Sequence, residues 1–185
     1  MRTLPDIAPD AALFMLRKGN ERYAEGRQRP HFTPEQRSTL KSGQRPWAAI
    51  VGCSDSRVPV EALFDVGPGE VFVVRSAGHV MSEAGYASIR YAVQELGAGL
   101  VVVLGHEDCG AVTAALKGTS PEYMKPVTDH IHADAPTLAE AVDQHVAESV
   151  AELREWFDDA GFPADHPVVI GAAYQLASGE VHWLD

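Results

Sequence analysis

The sequence predicts an α/β fold: a single domain over residues 1–185 with a mainly parallel four-stranded sheet of order 2-1-3-4, an antiparallel edge strand, and flanking helices. Three observations carry this expectation. Short runs such as Ala48-Ala49-Ile50-Val51 and Leu100-Val101-Val102-Val103-Leu104 are apolar throughout, as strands covered on both faces must be. They alternate with longer stretches whose apolar residues recur at helical spacing, the pattern of βαβ units. The first and third runs each end directly in a polar cluster, Cys53-Ser54-Asp55-Ser56-Arg57 and His106-Glu107-Asp108-Cys109-Gly110. Ligands in such sheets bind beyond the carboxyl ends of strands where strand order reverses, so an order of 2-1-3-4 brings these two clusters together.

Taken in order, residues 10–24 carry Leu13, Leu16, Asn20 and Tyr23 at helical spacing between Pro9-Asp10 and Gly26, a helix expected to hold little polar chemistry. Thr33-Pro34-Glu35 starts a second helix, with threonine as cap and proline in the first turn, and Gly43 ends it. These form an N-terminal helical arm over about residues 1–45. The first strand runs over 47–53, a short helix over 60–64, and Gly67-Pro68-Gly69 leads to the second strand over 71–74. A helix over 83–96, placing Ala87, Tyr91, Ala92 and Leu96, stops at Gly97 before the third strand over 100–104. Gly110 opens a further helix, which puts Cys109 at a helix N-terminus, where the macrodipole lowers a thiol pKa. Residues 118–135 read as a polar turn region. The longest helix spans 136–160, with Val142, Val146, Val150, Leu153 and Phe157 on one stripe, and 168–170 and 181–184 form the fourth and edge strands.

Composition bounds the partners. An apolar fraction of 45% and a charged fraction of 22% are those of a globular chain, and a formal charge of −11 repels phosphate backbones and anionic lipid. Neither nucleic acid nor a membrane is expected as a partner. No apolar run approaches the roughly 20 residues of a transmembrane helix, and the first residues lack signal-peptide organisation, so a cytoplasmic location is expected.

Cys53 and Cys109 are the only cysteines. With His106 they make the two-sulfur, one-nitrogen set that zinc takes in catalytic sites, leaving a fourth position for water or a carboxylate, for which Asp55 is the obvious candidate. A disulfide is the alternative use of two cysteines, disfavoured by a reducing compartment and by the polar neighbours of each.

Cys-x-Asp-x-Arg followed by His-x-x-Cys, each after a parallel-type strand, resembles the β-class carbonic anhydrases. The likeness extends through Val58-Pro59, Gly67-Pro68-Gly69-Glu70, Phe72-Val73-Val74-Arg75, Gly110-Ala111-Val112 and the hairpin segments Gly171 to Tyr174 and Ser178 to Val181, so it covers about residues 10–185. It departs at Ser76 and His79, where the family commonly has asparagine. The resemblance implies one Zn2+ per chain held by Cys53, His106 and Cys109, with Asp55 as the fourth ligand in a closed state or the partner of Arg57 in an open one. It implies reversible hydration of carbon dioxide to bicarbonate and a proton by zinc-bound hydroxide, with Asp55 and Arg57 as the catalytic pair. Gln44, Phe72, Tyr91 and the Gly110 N–H are implied as substrate-binding residues, in a site built at the interface of a homodimer or dimer of dimers. Periodicity alone reads Phe72 and Tyr91 as core residues, Gln44 as a turn residue and Gly110 as a tight-turn residue.

The charge of the ligand set bears on mechanism. Zinc with two thiolates is nearly neutral and acidifies water less than a three-histidine site, whose bound water has a pKa of about 7. An Asp55 carboxylate oriented by Arg57 can then accept the hydrogen bond of hydroxide and aim its lone pair at carbon. Two other functions share these ligands: hydrolysis of carbon disulfide or carbonyl sulfide, which relatives of this fold perform, and a non-catalytic zinc-binding subunit with a purely structural metal. Arg57 argues against the last, since a structural site has no need of a competitor for the carboxylate. His130-x-His132-x-Asp134 reads as solvated loop, His79 as a turn residue or a proton shuttle at the mouth, and His31, His145, His166 and His182 form no constellation.

Overall fold

A computed structural model describes residues 7–132 and 134–184. The start of the expected arm, residues 1–6, lies outside the described residues, as do Ala133 in the expected turn region and Asp185. The sheet has the order β2-β1-β3-β4-β5. Its strands are β1 (Ala48–Cys53), β2 (Val71–Ser76), β3 (Leu100–His106), β4 (Val168–Tyr174) and β5 (Val181–Leu184). The first four are parallel and β5 runs antiparallel to β4, as expected from the sequence. Strand order reverses between β1 and β3.

Every residue of β1 and β3 is buried, which is why neither run alternates apolar with polar. Successive side chains serve opposite faces. Ala48, Ile50, Leu100, Val102 and Leu104 pack under α1 (Pro9–Ala24) and α3 (Val60–Leu63). Ala49, Val51, Val101 and Val103 pack under α4 (Glu83–Gln94) and α7 (Leu138–Asp159). Between these come α2 (Pro34–Leu40), held by a Thr33 capping box, and α5 (Gly110–Lys117), capped by Cys109. At Gly105 a Cβ would stand 2.6 Å from Val146, so the close seat of α7 on β3 beside His106 requires glycine there.

Three expectations need correction. The strands β2, β3 and β4 run two or more residues further than expected, so His106 is the last residue of its strand, not a residue beyond it, while Cys53 ends β1 as expected. Residues 118–135 are not all turn: α6 (Lys125–Thr128) follows a 3-10 turn over Glu122–Met124, and Ile131 is buried. Pro126 occupies a first-turn position of α6, where its missing N–H is harmless. Third, α1 does carry polar chemistry, since the buried Asn20 donates to the carbonyls of Leu63 (3.2 Å) and Gly179 (2.9 Å) and accepts from the N–H of Val181 (2.8 Å). It satisfies backbone groups of α3 and the β4–β5 hairpin that would otherwise be unpaired. Beyond these, the side chain of Asp65, which no pattern marked, is buried and binds Arg22, Arg29 and His31.

Candidate metal centre and active site

β1 and β3 end side by side at the switch point, and α5 starts directly after the loop from β3. Cys53, His106 and Cys109 thereby converge, with their ligand-type atoms all within 4.8 Å of one another and all three residues buried. The donor set fits a metal by its own bonding. His106 Nδ1 donates to the carbonyl of Glu107 at 2.7 Å, which fixes the tautomer and leaves Nε2 with a bare lone pair aimed into the cluster. Buried Nε2 has no protein partner. A buried polar atom without a partner costs free energy, and here a metal ion removes that cost.

One of the two thiols is already biased toward ligation. Cys53 is pushed down to about 4, chiefly because the Cys109 S–H donates to its sulfur, with the N–H groups of Asp55 and Gly78 adding to this against burial. Cys109 moves the other way, up, because it holds the proton the pair shares and is itself buried. The expectation that a helix N-terminus would lower the Cys109 thiol is thus overridden. The N–H groups of Ala111 and Val112 do act downward, but the shared proton and burial outweigh them. A metal ion replaces that proton. Both cysteines are free thiols, as expected.

Asp55 lies at the rim, partly buried, and Arg57 engages it in three ways. Nε donates to Oδ1 at 3.0 Å, Nη2 to Oδ2 at 2.7 Å, and the backbone N–H to Oδ1 at 2.9 Å. These bonds hold the carboxyl well below the usual carboxylate range, with a smaller contribution from His106. Oδ2 is 4.0 Å from His106 Nε2, so the carboxylate faces the cluster while bound to arginine. Of the two arrangements expected for Asp55, this is the open one, and the ligand role for Asp55 is not taken up in it. Arg57 Nη2 also donates to the carbonyl of Asp108 at 3.2 Å, tying the two ligand loops together.

Arg75, only part of a motif block in the sequence, proves to be a support. Its Nε donates to the Cys53 carbonyl at 2.8 Å and its Nη2 to the Asp55 carbonyl at 2.6 Å, clamping the turn that carries ligand and carboxylate. The register Cys53↔Ser76 places Arg75 for this, a consequence of strand pairing that a linear motif does not express.

The implied substrate residues are dispersed. Gly110 sits at the first turn of α5 with nothing within 4 Å of where a Cβ would be and without the positive φ of a tight turn. Phe72 pairs with Ala49, four residues before the ligand end of β1, and its ring meets that of Tyr91 at 6.3 Å. Tyr91 is 49% exposed. Gln44 precedes β1 and is exposed, before the amino end of the strand whose carboxyl end carries Cys53, with a strand of about 17–20 Å between. Gln44, Phe72 and Tyr91 thus do not line this chain's own metal cluster. His79 is 1% exposed and stacked on His145, so it is not a shuttle at the mouth. His130 and His132 are exposed and take no part in a metal-type cluster among the described residues.

A cysteine-histidine-cysteine centre beside a carboxylate–guanidinium pair, at the switch point of a parallel sheet, defines the class: an α/β metalloenzyme. The comparisons name it more closely. The sequence matches the carbonic anhydrase family over residues 48–181. It is 41% identical over 195 aligned positions to carbonic anhydrase 2 of Mycobacterium tuberculosis, covering 95% of this chain and 93% of that protein. It is 39% identical to the carbonic anhydrase of Mycolicibacterium smegmatis, covering 96% and 94%. The crystal structure of a β-carbonic anhydrase from Aspergillus fumigatus superposes with a TM-score of 0.70 at 26% identity, covering 95% of this chain and 90% of that one. This chain belongs to the β class of the carbonic anhydrase family, whose metal is zinc.

Proposed function

We propose that Cys53, His106 and Cys109 hold one zinc per chain and that the protein interconverts carbon dioxide and bicarbonate there, with Asp55 and Arg57 directing the attack. The observation that carries this reading is the bare, buried Nε2 of His106 facing two thiols beside a carboxylate already committed to arginine. Zinc, when bound, supplies a Lewis acid that makes water nucleophilic near neutral pH.

The chain's own groups do the rest. Asp55 stays ionised at neutral pH because Arg57 stabilises its charge. An ionised carboxylate only accepts hydrogen bonds, so it takes the O–H of the attacking water and turns a lone pair toward carbon. Arg57 denies Asp55 to the metal and positions it, while Arg75 fixes the turn on which both stand. The Gly110 N–H points from a helix N-terminus that favours the developing anion. The proton leaves to solvent buffer, since His79 is enclosed.

The reading includes a homodimer or a dimer of dimers. Gln44 before the amino end of β1 and the half-exposed Phe72–Tyr91 pair reach a metal centre only if it belongs to a second copy. It also includes a cytoplasmic location, supported by two thiols kept free for metal, and a single-domain organisation. No helix among the described residues is long and apolar enough to cross a membrane.

The test is stopped-flow hydration of carbon dioxide on zinc-loaded protein beside a sulfide-release assay with carbon disulfide and carbonyl sulfide. Hydration at a rate far above buffer is expected. Sulfide release without hydration would reassign the substrate, and neither activity at full zinc content would make the metal structural.

A further inference from the structure

Cys109 and Cys53 receive different support. Cys109 caps α5, where the N–H groups of Ala111 and Val112 lie close to its sulfur. Cys53 ends a strand and has no helix. In place of one, the Gly78 N–H donates to its Sγ at 3.3 Å, alongside the Asp55 N–H at 3.4 Å. Gly78 has φ 61 and ψ 23, and His79 after it has φ 49, an uncommon sign for a bulky residue. A Cβ on Gly78 would stand 2.9 Å from Ala111 Cβ and 3.0 Å from Ile131 Cδ1, so the turn is pressed against α5 and the 131 segment.

What holds this strained turn is a histidine far away in sequence. His145 of α7 sends Nε2–H to the Gly78 carbonyl at 2.9 Å, in a buried bond. Its ring stacks on that of His79 with centroids 4.3 Å apart and planes at 25°. Both nitrogens of the His79 ring are buried without a protein partner, so His79 contributes through its ring face. One peptide-flanked residue therefore joins a helix histidine on its carbonyl side to a ligand sulfur on its amide side. The hydrogen bond at the carbonyl fixes the orientation of the residue and so of its N–H, and an N–H aimed at a thiolate withdraws charge from sulfur.

We propose that His145 is a positioning residue for the Cys53 thiolate, acting through Gly78: it locks the left-handed turn that aims the Gly78 N–H at the sulfur and so tunes the electron donation of that ligand to the metal. This rests on the ligand assignment above and extends it to a residue of α7 that touches neither metal nor substrate.

The test uses the full chain loaded with cobalt(II), whose sulfur-to-metal charge-transfer absorption reports thiolate electron density directly. Wild type is compared with His145→Phe, which keeps a flat ring and removes the donor, and His145→Gln, which keeps a donor. Thermal unfolding checks that each is folded. In His145→Phe the band is expected to move to lower energy and zinc transfer to a chelator to become about 10-fold faster or more, while His145→Gln restores both toward wild type. An unmoved band in His145→Phe, or equal shifts in both variants, would overturn the proposal. If His145→Phe does not fold, wild type loaded with 113Cd decides: scalar coupling between the metal and the Gly78 amide proton, with a slowly exchanging His145 Nε2 proton, is expected, and absence of either overturns the proposal. A wild type without cysteine-to-metal charge transfer would instead refute the ligand assignment.

Discussion

Two buried polar centres of the structure differ in what they leave unpaired. At Asp65, between α1 and α3, every carboxylate oxygen has protein donors. Arg22 Nε reaches Oδ2 at 2.5 Å, Arg29 N–H and Nε reach Oδ1 and Oδ2 at 2.9 and 3.2 Å, and His31 Nε2 reaches Oδ1 at 3.0 Å. At the strand ends, by contrast, His106 Nε2 has none and two sulfurs share a proton. A charge satisfied by the protein is a structural device, and a set of donors left facing one another is a place for something else. The first centre clips residues 22–31 to the loop after α3, and the second holds a metal.

The largest effect that separates them comes from deleting one member of each. Cys109→Ser or His106→Ala is expected to bring bound zinc from one per chain toward none and hydration to the buffer rate. Asp65→Asn is expected to keep one zinc per folded chain while losing about 3 kcal/mol of stability, the lower end for breaking a buried pair because Arg29 is 56% exposed. Elemental analysis and urea unfolding of the same samples read both. Zinc loss in Asp65→Asn would erase the distinction.

Next is Arg57→Ala, expected to lower kcat/KM by about 100-fold with zinc retained, because the carboxylate loses its partner and is free to take the open position. A near-wild-type rate would remove the dyad from the mechanism. Arg75→Gln, which removes the clamp on the Cys53 and Asp55 carbonyls, is expected to cost about 10-fold in activity or zinc affinity.

The smallest separation is in acid. Burial, then the neighbouring His145, pushes His79 well below the ordinary histidine range, so it stays neutral in the fold. An unfolded histidine takes up its proton below about pH 6.5, and stability contributed by a lowered pKa is lost as pH falls below that value, by at most about 1.4 kcal/mol per unit. Asp65 is raised by burial but lowered on balance by Arg22, Arg29 and His31, so its contribution persists to about pH 4 and fades only below it. His79→Phe is therefore expected to flatten the unfolding profile between about pH 6.5 and 5, and Asp65→Asn below about pH 4. The opposite assignment of windows would reverse the two roles.

The contrast also explains what the sequence disclosed. The metal residues follow two apolar runs within a few positions, so strand ends and the switch-point rule brought Cys53, His106 and Cys109 together from the pattern, with Asp55 and Arg57 beside them. The Asp65 centre draws Arg22 from a helix, and Arg29 and His31 from a loop without periodicity, and none of these marks itself as buried. His145 lay on the buried stripe of the longest helix but read as unallied, since its partner is a backbone carbonyl. Arg75 acts on backbone carbonyls too. Contacts to main-chain atoms leave no trace in residue type, which is why the supports of the site were hidden while its ligands were not.

X-ray absorption at the zinc edge of the loaded wild-type protein tests the central assignment most directly. The expected first shell is two sulfurs at about 2.3 Å with one imidazole nitrogen and one further light atom at about 2.0–2.1 Å. A shell with no sulfur, or with one, would contradict the assignment of Cys53, His106 and Cys109 as the metal ligands.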